Sequence, residues 1–385
     1  MVRLGDLGRW SGGNTPSKAD PTFWTGGTVP WVSPKDMKFD EITSTEDAVT
    51  PLAVEQGRLQ LLPSGSVLLV TRSGILSHTL PVAVTKLPVT INQDIKALTP
   101  KTGVSAKYIA LAIKGASQKI LDTCSKHGTT VASVETAALL DFEIPLVHPA
   151  EQRAVVAEIE KQFSRLDEAV ANLRRLKANL RRYERATIQD LARPAPEGLG
   201  LVGTISDVAV SLDNMRKPVN KTERASRPGD VPYLGANGQT GWIDKPLFDE
   251  ELVLVVEDET FVGRTAPFSY YFAGKCWVNN HTHVLRAKPG IVTPKFLNLA
   301  LSYYPFIPLT TGSTGRRKLT KAALMNAPLE LPSLEEQHRI VAEVDRRLSI
   351  ARGVEAQVDA NLKRAQALRQ AVLAKAFGTA APAGG

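Results

Sequence analysis

Residues 151–192 read EQRAVVAEIEKQFSRLDEAVANLRRLKANLRRYERATIQDLA, and residues 336–377 read EQHRIVAEVDRRLSIARGVEAQVDANLKRAQALRQAVLAKAF. In both stretches apolar residues recur at alternating spacings of four and three, which is the pattern of a helix that pairs with another helix. At about 1.5 Å per residue, each helix would be roughly 60 Å long. Two apolar stripes in one chain can bury each other, so we predict two long paired helices.

The residues predicted to pair the helices form one stripe on each stretch: Ile159, Phe163, Leu166, Val170, Leu173 and Leu180 in the first, and Val344, Leu348, Val358, Leu362 and Leu368 in the second. After Leu173 the apolar pattern moves to Leu176, Leu180 and Tyr183. This change of phase predicts a stutter, which alters supercoiling locally without ending the helix.

Composition and length favour a globular protein of more than one domain. The chain has 385 residues, of which 43% are apolar and 22% charged, and this length exceeds what one core holds. Residues 1–10 are polar, and no apolar run reaches the length of about 18 residues that a membrane helix needs. Cys124 and Cys276 lie far apart, without a partner at metal-ligand spacing. We therefore predict a cytoplasmic protein with no membrane partner, no metal site and two buried thiols.

The formal net charge of +8 favours a polyanionic partner. Part of this charge is local to the second half of the first long stretch, where a solvated helix face explains it equally well. The cations concerned are Arg174, Arg175, Lys177, Arg181, Arg182 and Arg185.

The rest of the chain contains two copies of one module. GTVPWV at 27–32 returns as GDVPYL at 229–234, and VLLV at 67–70 returns as VLVV at 253–256, a run typical of a buried strand. INQDIKALTPKTG at 91–103 returns as VNNHTHVLRAKPG at 278–290. The order of the matches is kept throughout the chain, which chance would not preserve.

These repeats divide the chain into five predicted parts: a globular domain (1–148), a long spacer helix (149–193), a second globular domain (194–332), a second spacer helix (333–378) and a disordered tail (379–385). The Pro- and Gly-rich junction at 193–203 is the predicted linker. The predicted fold class is mixed α/β, with two tandem, pseudo-twofold-related recognition domains joined by two long antiparallel coiled-coil helices.

Loops that differ between the copies are the predicted sites of contact with a partner. Arg72 can donate to guanine, Glu257 or Asp258 can accept from the amino group of cytosine, and Asn237 can pair with adenine. The basic run 316–318 suits phosphate. The full set of predicted DNA-contacting residues is Lys35, Arg72, Ser73, Gln93, His127, Thr129, Thr130, Asn237, Glu257, Asp258, Asn280, His281, Arg316, Arg317 and Lys318.

Several of these positions have alternative interpretations. The acidic run 257–259 also fits a solvated loop or a metal cluster. His281 and His283 alternate onto one side of a strand, which suits either a metal or a polar contact, although no third ligand is near in sequence. Asn92 and Asn279 are shared by both copies and are therefore predicted to be scaffold residues in turns.

Sequence motifs for catalysis do not occur. The chain has no Walker-type phosphate loop, no G-x-S-x-G, no H-E-x-x-H, and no N/D-P-P-Y/F tetrapeptide of the DNA amino-methyltransferases. We therefore predict no catalytic residues. A self-contained DNA methyltransferase or nuclease, built from carboxylates distant in sequence, stays open as one alternative, and a coiled-coil scaffold without a DNA partner is the other.

The chain resembles the specificity subunits of Type I restriction–modification systems. The resemblance rests on LGDLGRWSGGNTPSK at 4–18, GDVPYLGANGQTGWIDKPLF at 229–248, CWVNNHTHVLRAKPG at 276–290, and the proline-to-helix transition LPSLEEQHRIVAEVDRRL at 331–348. It covers residues 1–378. The first copy departs from the family's proline-rich form with LVHPAEQ at 146–152, which leaves the first helix start less defined.

The resemblance implies a non-catalytic subunit in which each module is a target-recognition domain for one half of a bipartite, asymmetric site in double-stranded DNA. The long helices would set the unread spacer and dock two methyltransferase subunits. Restriction subunits, which translocate DNA and cut it, complete the complex. S-adenosylmethionine, ATP and magnesium are expected in those partners, with no cofactor in this chain.

Overall fold

The computed structural model describes residues 1–56, 59–126, 131–192, 201–259, 261–312 and 317–378. The chain divides into two compact units, Met1–Leu173 with Ala360–Gly385, and Arg174–Asp359. In the described ranges, no helix is both long and apolar enough to cross a membrane. The predicted tail at 379–385 and most of the predicted linker lie outside these ranges.

The first unit is a mixed α/β structure with a five-stranded sheet of order β2-β9-β6-β7-β4, a three-stranded sheet β5-β3-β8 and a two-stranded sheet β1-β10. Its strands are β1 (Val2–Arg3), β2 (Gly8–Gly12), β3 (Val29–Val32), β4 (Glu41–Ile42), β5 (Asp47–Val49), β6 (Val67–Val70), β7 (Val82–Thr85), β8 (Thr90–Ile91), β9 (Ile95–Pro100) and β10 (Glu143–Ile144). Its short helices are α1 (Pro51–Gln56), α2 (Ala106–Gly115), α3 (Ser117–Cys124) and α4 (Thr136–Asp141), and α5 (Pro149–Leu191) begins here.

The second unit contains a six-stranded sheet of order β12-β18-β15-β17-β13-β14 and two two-stranded sheets, β11-β20 and β16-β19. Its strands are β11 (Leu201–Thr204), β12 (Ala209–Ser211), β13 (Val231–Gly235), β14 (Gly238–Ile243), β15 (Phe248–Val256), β16 (Asp258–Glu259), β17 (Ser269–Val278), β18 (Thr282–Ala287), β19 (Arg317–Lys318) and β20 (Pro328–Leu331). Its helices are α6 (Ile205–Val208), α7 (Lys221–Ala225), α8 (Pro294–Ser302), α9 (Lys321–Met325) and α10 (Leu334–Phe377), which ends in the first unit.

The two units repeat the same hydrogen-bonded framework. The pairing of β2 with β9 returns as that of β12 with β18, and the parallel pair β3-β8 returns as β13-β17. The run 67–70 is a buried strand, as is its counterpart 253–256. The predicted duplication and the predicted mixed α/β fold with two globular parts and two long helices are confirmed. The exact domain boundaries stay a prediction, because each compact unit also takes segments of both helices.

A buried glutamine begins each long helix at the same place in the repeat. Gln152 Oε1 accepts from the Ser105 amide at 2.8 Å, and its Nε2 donates to the Val147 carbonyl at 2.8 Å. Gln337 repeats this arrangement, with Oε1 accepting from the Thr293 amide at 2.9 Å and Nε2 donating to the carbonyls of residues 291 and 332 at 3.0 Å. Each glutamine thus ties a long helix to the start of α2 or α8 in its own unit.

Replacing Gln337 by alanine is expected to lower the free energy of unfolding of the second unit by about 2–4 kcal/mol, because three backbone groups lose the hydrogen bonds of this side chain. Gln337 is fully buried. The exposed Gln370 lies on the same helix, so Gln370→Ala is the matched control. Urea unfolding curves of the two variants measure the difference, and equal midpoints would contradict the proposed anchoring.

Within the first unit, the predicted stripe of α5 packs against the end of α10. Ile159 is buried, and Leu373 and Phe377 of α10 enter the same core. The other predicted stripe residues in this unit are half-buried: Phe163, Leu166, Val170, Leu173 and Leu362.

The prediction that Leu368 pairs the helices is wrong. Leu368 is 52% exposed, and the guanidinium of Arg369 lies 4.6 Å from the ring of Phe163 instead. The heptad spacing explains this. Val358 and Ala365 are buried seven residues apart, and the next position that faces the partner helix is 369, so Leu368 points to solvent.

Within the second unit, the seam contains a charged cluster. Val344, Leu348 and Val358 are buried as predicted, and Leu180 is half-buried. Lys177 Nζ lies 2.7 Å from Asp359 Oδ1 and 3.4 Å from Glu355 Oε1.

The predicted stutter after Leu173 is wrong, because Leu176 and Tyr183 are exposed. The spacing of four and three continues from Leu173 through Lys177 to Leu180. The sequence pattern hid this register because the seam position between Leu173 and Leu180 is a lysine.

Candidate nucleic-acid interface

In the first unit, loops from four parts of the chain meet at one edge of the sheets. The Asp94 carbonyl accepts from the amides of Thr71 at 2.8 Å and Arg72 at 3.2 Å, and the Ser73 amide donates to the Ala132 carbonyl at 3.1 Å. The parallel strands β3 and β8 end at the same edge, where the amide of residue 92 donates to the carbonyl of residue 32. The loops after β3, β6 and β8 are therefore neighbours.

The predicted contact residues of the first unit lie in these loops. Lys35, Arg72 and Gln93 are exposed, and Gln93 Oε1 accepts from the Thr15 hydroxyl. Ser73 is half-buried, and its Oγ accepts from the amide of Ile75 at 3.4 Å. The structure thus brings four predicted residues to one edge. His127, Thr129 and Thr130 lie outside the described residues.

The second unit repeats this edge with different side chains. The Glu257 amide donates to the His281 carbonyl at 3.1 Å, the counterpart of the bond between Thr71 and Asp94. The Leu319 amide donates to the Glu257 carbonyl at 2.8 Å. The amide of residue 279 donates to the carbonyl of residue 234 at 3.0 Å. The loops after β13, β15 and β17 and the strand β19 therefore form one edge.

Asn92 and Asn279 are turn residues, as predicted. Asn92 Oδ1 accepts from the Asp94 amide at 3.0 Å, and Asn279 Oδ1 accepts from the His281 amide at 3.0 Å. Each asparagine thereby closes an Asx turn that shapes the loop after it. Shared residues of the two copies supply the scaffold here, and the neighbouring residues supply the chemistry that differs.

Most of the predicted residues in the second unit are held by partners. Asn237 and Asn280 are exposed, and Asn237 Oδ1 accepts from Arg264 at 2.8 Å. Asp258 Oδ1 lies 2.5 Å from His281 Nδ1. Arg317 donates through Nε to Thr310 Oγ1 at 2.6 Å, so one of its N–H groups is already used within the protein. Lys318 is exposed, and Arg316 lies outside the described residues.

The prediction that Glu257 reads a base is corrected by its surroundings. Glu257 is only 7% exposed. Its Oε2 accepts from Arg216 Nη1 at 2.5 Å, and its Oε1 lies 3.1 Å from Lys318 Nζ. Both carboxylate oxygens are therefore used inside the loop, and Glu257 supports the edge instead of contacting a partner.

His283 completes a buried charged cluster with Glu257, Asp213 and Arg216. His283 is 1% exposed, with Nδ1 2.6 Å from Asp213 Oδ2 and Nε2 2.8 Å from the Leu319 carbonyl. Burial alone would raise the pKa of Asp213, but the hydrogen bond and charge of His283 outweigh burial and hold that pKa below its usual value. Burial likewise opposes the effect of Arg216 and its neighbours on Glu257, whose pKa is also lowered.

Ligand atoms of Asp213, Glu257 and His283 all lie within 4.8 Å of one another, a spacing that a metal ion could use. Each is already paired, however. Both ring nitrogens of His283 face protein acceptors, and the carboxylates face Arg216 and Lys318. The cluster is therefore satisfied as a buried ion-pair network that ties β12, β15, β18 and β19 together.

Sequence reasoning missed Asp213 and Arg216. Continuing the repeat from 205–209 places Asp213 opposite Gly12 and Arg216 opposite Thr15 of the first copy. An acid and a base therefore appear in the second copy where the first has uncharged residues. That difference, together with Glu257 opposite Thr71, is the signal that could have identified the cluster.

A family model described as the Type I restriction modification DNA specificity domain matches residues 1–181 and 201–360. The chain is 38% identical over 196 residues to the specificity subunit of the Type I restriction enzyme EcoR124I/EcoR124II of Escherichia coli, over 50% of this chain and 48% of that protein. It is 31% identical over 158 residues to the MjaIX specificity subunit of Methanocaldococcus jannaschii, over 40% of this chain and 35% of that protein. The alignments thus span about half or less of these relatives.

Similarity over nearly the whole chain is found with two further proteins. The EcoprrI specificity subunit of Escherichia coli is 22% identical over 351 residues, which cover 87% of this chain and 84% of that protein. A solved structure from a study of assembly and conformational transition of the type I R-M system matches with a TM-score of 0.68 and 19% identity, over 97% of this chain and 96% of that one. Because the family model covers both copies of the repeat, the chain belongs to the Type I restriction–modification DNA specificity family.

Proposed function

We propose that this chain is the DNA-recognition subunit of a Type I restriction–modification complex, in which each unit reads one half of a bipartite, asymmetric site. The observation that carries the proposal is the repeated edge. Both units gather the same loops with the same backbone bonds, and the side chains on those loops differ in charge and in hydrogen-bonding groups. A duplicated scaffold with two different faces suits two different half-sites on one duplex.

The chemistry of the complex is proposed to lie in partner subunits. We infer that the chain itself is non-catalytic, that its long helices set the spacer and dock methyltransferase subunits, and that restriction subunits join them. S-adenosylmethionine, ATP and magnesium would bind to those partners. The proposed site of action is the cytoplasm, where the chromosome of a bacterial or archaeal host lies.

Binding of the chain to duplex DNA is expected to weaken steeply with salt, because lysines and arginines on phosphates release counterions. For about six to ten phosphate contacts, affinity would fall by roughly 10³ to 10⁵ between 50 and 200 mM salt. The exposed Lys35 and Arg72 face the proposed duplex, so the double alanine variant should have a shallower dependence on salt.

Fluorescence anisotropy of a labelled duplex over a salt series measures this dependence. The exposed Lys363 and Arg364 lie on α10, outside the loops of the edge, and their double alanine variant serves as the charge-matched control. Absence of binding at 50 mM salt would favour the scaffold alternative. Methyl transfer from S-adenosylmethionine by the isolated chain would instead favour a self-contained methyltransferase.

A further inference from the structure

The orientation of one exposed amide on the second unit is fixed by the protein itself. Asn237 lies in the turn between β13 and β14, and its side chain meets Arg264 Nη2 at 2.8 Å. A guanidinium has only donors, so the amide atom that faces it has to be the carbonyl oxygen. The NH2 group of Asn237 therefore occupies the other position on the amide carbon.

Arg264 is itself anchored. Its Nε and Nη2 donate to the Pro267 carbonyl at 3.2 and 2.9 Å, and its guanidinium lies 5.9 Å from the ring centre of Phe268. Phe268 is 8% exposed and belongs to the core of the second unit. The residue that orients Asn237 is thus attached to the core, although it lies at the surface.

The location of Asn237 suits contact with a partner at the loop edge. The turn follows β13, whose end lies beside the end of β17 in parallel pairing, and the hydroxyl of Tyr270 donates to the Gly235 carbonyl at 2.6 Å. Asn237 is exposed, and its neighbour Gly238 has a φ of 105°, which glycine adopts without strain. The turn is therefore held in one conformation with the amide at its tip.

A fixed NH2 group discriminates between bases. In the major groove, guanine presents two adjacent acceptors, O6 and N7, whereas adenine presents N7 beside an amino donor that needs an acceptor. The usual bidentate pairing of asparagine with adenine needs the carbonyl oxygen as an acceptor for the adenine amino group. Arg264 takes one of the two lone pairs of this oxygen and places a positive charge beside it, which disfavours a further donor there. Guanine can accept both N–H bonds of the amide, and adenine would leave its amino group facing a donor.

We propose that Arg264 is a positioning residue that makes Asn237 a guanine-selective contact in the half-site read by the second unit. This inference rests on the proposed function and names one base within it. It replaces the adenine pairing that an unconstrained asparagine would favour. A free amide could rotate to satisfy either purine, and the bound guanidinium removes that choice.

The test uses the full chain assembled with the methyltransferase subunits of its host, and it measures methylation of a duplex library randomised across the recognised site. Wild type is expected to require guanine at one position of one half-site. Asn237→Ala should lower discrimination at that position by about ten- to a hundredfold. Arg264→Met should admit adenine at the same position, because the freed amide can then present its oxygen.

Two controls separate orientation from folding. Arg264→Lys keeps a donor for the amide oxygen and should keep the preference for guanine. Gln239 is exposed on the same hairpin and donates to the Gly241 carbonyl within its own strand, so Gln239→Ala should leave the motif unchanged. The other half-site serves as an internal control in every variant.

The outcomes distinguish a failure of the Asn237 assignment from a failure of the proposed DNA-recognition function. If wild type methylates no split motif, the proposed function itself is contradicted. If it methylates a split motif that Asn237→Ala leaves unaltered, or if the position affected in that variant is adenine in the wild-type motif, only the Asn237 assignment is contradicted. Asn237 is exposed, so its alanine variant gives this answer even if changes at Arg264 disturb packing.

Discussion

Exchange of residues 1–148 for the corresponding module of another family member is expected to replace one half of the methylated DNA motif and to leave the other half unchanged. The physical reason is that the described backbone hydrogen bonds at the edge of the first unit join residues within 14–134 to one another. The size of the effect is the loss of an entire half-site, which exceeds that of any single substitution.

The design of this exchange depends on the end of α10. Leu373 and Phe377 enter the core of the first unit, where the ring of Phe377 lies 5.2 Å from that of Tyr108. A Cβ at Gly115 would lie 3.3 Å from the Cβ of Leu373, so the incoming module needs glycine there. An incoming module that keeps an aromatic residue at 108 would retain these contacts.

The matched control is the reciprocal exchange of residues 201–332, which should alter the opposite half of the motif. Methylation-sensitive sequencing of host DNA gives the motif for each chimera. Alteration of both halves by either exchange would contradict the assignment of one half-site to one unit. Failure to methylate would be traced to folding by comparing the yield of the purified complex with that of the wild type.

Substitution of Glu257 by alanine is expected to destabilise the second unit by about 2–4 kcal/mol, because Arg216 loses its shortest ion pair and keeps only the Asp213 carboxylate, at 3.4 Å. Arg216 Nη1 lies 2.5 Å from Glu257 Oε2, and the side chains are only 14% and 10% exposed. Loss of one partner from a buried pair costs more than the pair contributes in place. Glu257→Gln keeps an acceptor for Arg216 and should fall between alanine and wild type.

Hydrogen exchange resolved by peptide measures this effect in one sample, because β15 and β18 report on the second unit, and β6 and β9 on the first. Faster exchange should be confined to β15 and β18. The exposed Asp249 lies on β15, the strand that Glu257 follows, and Asp249→Ala is the matched control. Unchanged protection of β15 in Glu257→Ala would contradict the network as a source of stability.

The same network predicts how stability depends on pH. The pKa values of Asp213 and Glu257 are lowered in the folded unit, because pairing with His283 and Arg216 outweighs burial. Groups with a lowered pKa contribute stability above their unfolded value, which is about 4, and lose it as pH falls below that value. As pH falls below about 4, protection of β15 should therefore decrease before that of β6.

The overall organisation could be predicted from the sequence because two signals in it are repeated. The heptad spacing of four and three defines both long helices, and matches such as 67–70 with 253–256 place equivalent strands. Shared asparagines at 92 and 279 are turn residues in the structure because a residue kept in both copies serves the common backbone. Patterns that occur twice in one chain can be checked against each other.

The sequence predictions that the structure corrects concern side chains whose partners are distant in sequence. Lys177 holds a seam position because Glu355 and Asp359 lie opposite, and a search for apolar residues passes over it. Glu257 follows a strand as an exposed acid would, yet Arg216 and Lys318 enclose it. The orientation of Asn237 depends on Arg264, 27 residues away. Such pairings follow from the folded backbone, which one sequence does not display.

The central claim is that this chain directs a methyltransferase to one split DNA motif. Mapping methylated adenines across the host genome, with the gene intact and with it deleted, tests this claim most directly. Deletion is expected to abolish methylation at a single asymmetric motif with two specified halves and an unspecified spacer, and complementation should restore it. An unchanged methylation map, in a host whose partner subunits are expressed, would contradict the account.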